Sequence, residues 1–163
     1  MIKSSMIKNS ALRTTICMLC AFGLVFSSNG YARPFFGRTL QLPMQKLAAG
    51  TGQILIDFKL PANHEFAEEA PSTLFMRTKH SQVLKTNQTK PVALNLAQLP
   101  AIIATSSSLG ETVAVIDARV HFCDEVSKVC LSDFIRIKFP VQIEADSPAQ
   151  LRLRIPLKSK LDA

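Results

Sequence analysis

Apolar and polar residues alternate with a period of two along most of the chain beyond residue 38. The clearest run is Leu151, Leu153, Ile155 and Leu157, interleaved with Arg152 and Arg154. Successive strand side chains point to opposite faces, so the pattern predicts a strand with one face on a core and one in water. Ile54, Ile56, Phe58 and Leu60 repeat it against Asp57 and Lys59, between the turn signal Gly50-Thr51-Gly52 and the stop at Pro61. Leu74 and Met76 within residues 73–78, and Val92, Leu94 and Leu96, predict two more strands. Leu40, Leu42 and Met44 alternate with Thr39, Gln41 and Gln45; Pro43 assigns this run to a sheet edge, because proline has no N–H for a ladder. Residues 62–72 read as a long connection anchored by Phe66 and Pro71, with Glu65, Glu68 and Glu69 in water. Residues 99–105 fit either strand or loop, and Ser106-Ser107-Ser108 with Gly110 marks a further loop.

The two longest strand candidates carry phase problems. In residues 111–123, Val113 and Val115 point one way while Ile116, Ala118, Val120 and Phe122 hold the other parity, a switch that a β-bulge would produce. In residues 129–139, Ile135, Ile137 and Phe139 point inward and Arg136 and Lys138 outward; Pro140 closes the regular part, with Val141 and Ile143 as an extension. Unbroken pairing of these two strands would turn Asp133 inward, which predicts a second bulge near Phe134. No segment shows a 3.6-residue repeat of helix length. Seven or eight short strands separated by turns predict an all-β fold, an immunoglobulin-like antiparallel β-sandwich.

The first thirty-two residues follow different rules. Lys3, Lys8 and Arg13 precede an unbroken apolar run from Ile16 to Phe26, and small Gly30 and Ala32 follow it. Charge, apolar core and small-residue site in that order predict a secretory signal peptide cleaved after Ala32. The eleven-residue run is shorter than the ~20 residues that a membrane-spanning helix needs. The expected organisation is a signal peptide over 1–32, a flexible N-terminus over 33–38 and one β-sandwich domain over 39–163.

Cleavage changes the charge and the cysteine arithmetic. The whole chain has 19 basic and 12 acidic residues, a net charge of +7. Without Lys3, Lys8 and Arg13 the balance is 16 to 12, or +4. The remaining bases form no stripe with interleaved aromatics, so the composition argues against a nucleic-acid partner. Cys17 and Cys20 lie within the apolar signal core and are not read as a redox CxxC. Cys123 and Cys130 remain as an even pair in an exported protein, which favours a disulfide. Their parity supports it, since each lies next to core-facing residues and both turn to the opposite face. A structural bridge, a redox-exchanging pair and a metal-binding pair are the readings open at this point. Asp124 and Glu125 disfavour a thiolate at Cys123, while Lys128 near Cys130 favours one.

Other candidate chemistry is thin. His121 shares the parity of Cys123 and so either approaches the pair or stands exposed on its strand; His64 and His80 fall in a connection and a turn. Ser106 to Ser108 lack a GxSxG context, and no glycine-rich phosphate loop or metal-spaced Cys/His cluster occurs. Arg152, Arg154, Lys158 and Lys160 read as a solvated face and tail. Asn87-Gln88-Thr89 is a glycosylation sequon of consequence only in a eukaryotic source. No cofactor is expected.

Two stretches carry a resemblance. One is Ile56-Asp57-Phe58-Lys59-Leu60-Pro61, followed by Phe66 and by Glu69-Ala70-Pro71-Ser72. The other is Ala118-Arg119-Val120-His121-Phe122-Cys123, six further residues, then Cys130-Leu131. Together they resemble the C-terminal β-domain that follows the thioredoxin-like domain and β-propeller in NHL repeat-containing proteins, where an LP motif precedes an APS motif and a late strand ends in a C-x6-C hairpin. The likeness covers roughly residues 52–156. More distantly, the chain is similar to the N-terminal immunoglobulin-like domain of the thiol:disulfide interchange protein DsbD, although the cysteine spacing differs by one residue. That likeness implies exchange at Cys123 and Cys130 with a thioredoxin-like partner. Two functions follow as expectations. The first is an exported, non-catalytic accessory or interaction module of the cell envelope, periplasmic or secreted, with Cys123–Cys130 as a structural disulfide. The alternative is a thiol–disulfide exchange partner, a component of an oxidoreductase system.

Overall fold

Period-two sequence becomes strand along most of the chain in the computed structural model, which describes residues 37–159. The expected signal peptide and most of the flexible N-terminus lie outside those residues. In chain order the strands are β1 (Arg38–Gln41), β2 (Gln45–Ala48), β3 (Gly50–Lys59), β4 (His64–Phe66), β5 (Thr73–Thr78), β6 (Leu84–Thr86), β7 (Val92–Ala93), β8 (Ala101–Ser107), β9 (Gly110–Asp124), β10 (Cys130–Glu144) and β11 (Gln150–Pro156). They form two sheets. One has the order β1-β10-β9-β5-β7, with β2 also paired to β10 and β4 to β9; the other has the order β11-β3-β8-β6. Ile54, Ile56, Ile116, Phe122, Ile137, Phe139 and Ile155, drawn from both sheets, are buried in one apolar core.

The expected wholly antiparallel arrangement is corrected: both sheets are mixed. β1 and β2 run parallel to β10, and β11 runs parallel to β3. Alternation assigns a face to each residue but says nothing of strand direction. Direction follows from the connection: β9 and β10 are joined by a tight turn and must be antiparallel, whereas the parallel partners are separated by most of the chain. The strand count also rises, because Pro43 splits one predicted edge run into β1 and β2, and because β4, β6 and β7 have only two or three residues each.

Neither predicted bulge exists. The β9–β10 register is continuous from Cys123 opposite Cys130 to Gly110 opposite Ile143. Thr112, Ala114, Ile116, Ala118, Val120 and Phe122 all face the core. Thr112 hid this parity by being polar, yet its Oγ1 accepts the His80 N–H at 3.0 Å. Val113 and Val115 are the outward residues, and Val115 is flanked in register by Arg77 and Lys138, whose aliphatic stems can cover it. Asp133 does turn inward, only 8% exposed. The bulge is unnecessary because the carboxylate is paired: Arg38 Nη2 and Nε donate to Asp133 Oδ2 at 2.9 and 3.1 Å, and the Lys158 N–H at 3.0 Å. Arg38 also donates to the Pro156 carbonyl. One inward acid thus ties β1 and the end of β11 to β10.

β10 passes through Pro140 and includes the Val141 and Ile143 extension, ending at Glu144. The Leu42 N–H donates to the Lys138 carbonyl at 3.0 Å, so Lys138 turns its backbone groups toward β1. Two residues on, the Pro140 nitrogen faces the same side, at the gap between β1 and β2 where no ladder partner lies. The predicted strand over Val92, Leu94 and Leu96 is also corrected. Only Val92–Ala93 pairs, with β5, and Leu96–Gln98 forms a 3-10 turn. Asn95 diverts the chain: its Oδ1 accepts the Ala97 N–H at 3.2 Å, the local capping bond that asparagine offers in place of a ladder.

Candidate thiol–disulfide site

Cys123 and Cys130 are joined, with an S–S distance of 2.05 Å. They are direct register partners in the β9–β10 ladder, with Cα atoms 3.9 Å apart. The Asp124 N–H donates to the Val129 carbonyl at 3.0 Å, so the next pair along is the hydrogen-bonded kind and the cysteine pair is not. Non-hydrogen-bonded pairs bring side chains closer, which suits a cross-strand bridge. Phe122 is buried, so the cysteines lie on the outer face of the sheet, as their parity predicts. Cys123 is half-buried and Cys130 is exposed.

The turn beyond the bridge is built by its own residues. Asp124 Oδ1 accepts the N–H groups of Val126 and Ser127 at 3.0 and 2.6 Å, and Lys128 takes a positive φ of 58° to close it. These bonds, the Ser127 backbone first and its hydroxyl second, hold the Asp124 carboxyl below the usual carboxylate range. Val126 stands 83% exposed at the tip. Against the tip lies β4: Glu65 pairs with Cys123, and His64 stacks edge-on to Phe122 with ring centroids 5.5 Å apart.

The segment after β4 makes the site concave. β4 and β5 pair with different stretches of the same edge of β9, and residues 67–72 bridge between them. The Ala67 N–H donates to the His121 carbonyl at 3.0 Å, and the His121 N–H donates to Ser72 Oγ at 3.0 Å. Both backbone groups of His121 are therefore satisfied by the bridge, and Ser72, the serine of the APS motif, is fully buried. The bridge and β4 wall a cleft of about 460 Å³, with Glu65, Glu68 and Glu69 on one side and His121, Ser132 and the disulfide on the other.

His121 is thus brought to the cysteine pair and is half-buried rather than exposed. Its Nδ1 lies 2.7 Å from Ser132 Oγ, its register partner, while Nε2 is buried without a hydrogen-bond partner among the described residues. Burial, then the nearby Arg119 charge, pushes the imidazole below its ordinary value, so the ring is mostly neutral near pH 7. Ser132 went unnoticed in the sequence. It was reachable, because once Cys123 faces Cys130 an unbroken antiparallel ladder sets Ser132 opposite His121.

The remaining candidates stay apart from this cleft. Ser106, Ser107 and Ser108 line a larger one of about 600 Å³ with Thr51, Gln82 and Lys85, and neither a histidine nor a carboxylate lines it. Arg152 and Arg154 are exposed on the other sheet, as read. Among the described residues no three His, Cys, Asp or Glu side chains are grouped to hold a metal, and no helix is long and apolar enough to cross a membrane. No protein-family model matches the chain, and no curated protein matches it either.

Proposed function

We propose that the domain is an exported thiol–disulfide exchange module whose Cys123–Cys130 pair alternates between disulfide and dithiol against a thioredoxin-like partner. The observation that carries this reading is the placement of the bridge: outside the core, with Cys130 exposed, in the wall of a cleft. Exposed disulfides are typically the labile or catalytic ones, because an attacking thiolate must reach a sulfur in line. The exchange balances with a dithiol partner as reductant. Its thiolate attacks Cys130 Sγ, the S–S bond breaks and Cys123 leaves as a thiolate. The partner's second thiolate then attacks its own sulfur in the mixed disulfide and releases Cys130. Two electrons and two protons pass to this domain, and the partner ends as a disulfide. His121, mostly neutral near pH 7, lines the same cleft.

Export fits this chemistry, since disulfides persist in oxidising compartments such as the periplasm. The immunoglobulin-like sandwich belongs to the same reading: two sheets on one core, with the cysteine hairpin late in the chain. A second reading keeps the domain as a non-catalytic accessory module of the envelope with a structural disulfide. It is favoured by the bridge's position at the root of the β9–β10 tip, where closing a loop of about eight residues stabilises by roughly 2.5 kcal/mol.

Trapping separates the two. With Cys123→Ala, the remaining Cys130 should collect a mixed disulfide with a thioredoxin-like protein, and Cys130→Ala should collect little. Equal, negligible trapping by both variants would favour the staple.

A further inference from the structure

A second surface lies at the seam between the two sheets, away from the disulfide. β8 is paired to β3 from Ala101 to Ser107, but β6 covers only Thr105 to Ser107 on its other side. The Ser108 N–H donates to the Val83 carbonyl at 2.9 Å, so the even-numbered residues of β8 turn their backbone groups toward β6. Ile102 is even-numbered and lies beyond the end of β6. Its N–H and C=O therefore face a side where no strand of the described residues lies. The same holds across the seam. The Leu94 N–H donates to the Ser72 carbonyl at 2.9 Å, which turns the even-numbered residues of β7 toward β5 and Ala93 away from it.

Ala93 and Ile102 line one cleft of about 310 Å³. Leu74, Val92, Leu94 and Pro100 share it with the amides Gln88, Asn95 and Gln98, and none of its lining residues ionises. Two of the few large apolar side chains left exposed stand here, Ile102 at 61% and Val92 at 39%. Open backbone groups on both walls, with apolar side chains between them, are what an extended chain satisfies: its amides pair with the edges and alternate side chains fill the cleft. A charged segment would lose hydration there without a counter-charge.

We propose that this seam binds an extended, uncharged apolar segment of a partner protein by strand addition at Ile102 and Ala93. The proposal is independent of the exchange reading, since the two clefts share no residue.

An end-blocked hexapeptide of alternating valine and threonine serves as the probe, with amide hydrogen exchange of the full chain followed by NMR. The peptide should slow exchange at the Ile102 and Ala93 amides by about tenfold. Ile102→Lys, at an exposed position, should keep the fold and abolish that protection. Ile102→Pro removes the edge N–H itself and should abolish the protection at the remaining Ala93 amide. Unchanged exchange at both amides with millimolar peptide would overturn the proposal. So would protection that grows with protein concentration in the absence of peptide, because a second copy of the chain would then be the occupant.

Discussion

His121 and Asp133 show how single side chains carry this site and this fold. His121 is held below its ordinary pKa by burial and by Arg119, so the unfolded chain binds a proton that the folded one refuses. The corresponding stability is fully present above the unfolded value of about 6.5 and is lost as pH falls through the lower folded value. Urea midpoints should therefore drop between pH 7.5 and 5, and His121→Asn should flatten that slope; an unchanged slope would contradict the assignment. Asp133 supports the fold through Arg38. Removing one partner of a buried pair costs roughly 3–5 kcal/mol, and the quarter-exposed Arg38 should cost less, so we expect Arg38→Ala to lose about 2 kcal/mol in urea unfolding. A change near zero would mean that the inward acid needs no partner. The sequence made Asp133 visible as a discord but not its remedy, because Arg38 lies 95 residues away and reaches it only through a parallel pairing that alternation cannot reveal.

The strands were legible wherever one face is buried and the other wet, as in β3 and β11. Legibility failed where both faces carry apolar residues. Val113 and Val115 outside, with Thr112 inside, mimic a bulge that the continuous β9–β10 register excludes. The short elements escaped for a different reason. β6 is only three residues long, too short for a period to show, and the turn after β7 is set by a local side-chain bond, Asn95 Oδ1 accepting the Ala97 N–H, which has no period. A paired substitution tests the face assignment. Ile137 is fully buried, so Ile137→Asp strands a charge in the core and should cost more than about 4 kcal/mol, enough to unfold a marginally stable domain. Val115→Asp lies on the outer face between Arg77 and Lys138 and should stay within about 1 kcal/mol of the parent. Circular dichroism of both variants reads the outcome, and comparable losses would sink the continuous register.

At the scale of the whole molecule, the mixed sheets put the two ends of the described chain together and leave the cysteine hairpin projecting. β1 and the end of β11 meet at Asp133, near one end of β10, while the hairpin tip continues past it into water. The cleft then arises because one edge of β9 serves β4, then the bridge of residues 67–72, then β5. Residue parity set both cysteines on one face in advance, but the presence of Glu68 and Glu69 in the same cleft depends on that bridge, which the sequence offered only as a long connection. This arrangement leaves the disulfide at the surface without exposing the core, and on the proposed reading exchange takes place at that bridge. The direct test is the equilibrium of the Cys123–Cys130 bridge with glutathione, read by mass after thiol alkylation of the purified protein. The exchange account predicts a potential well above about −300 mV, with ready reduction at the glutathione poise; a bridge that stays oxidised, with a potential below about −300 mV, would contradict it and mark the disulfide as structural.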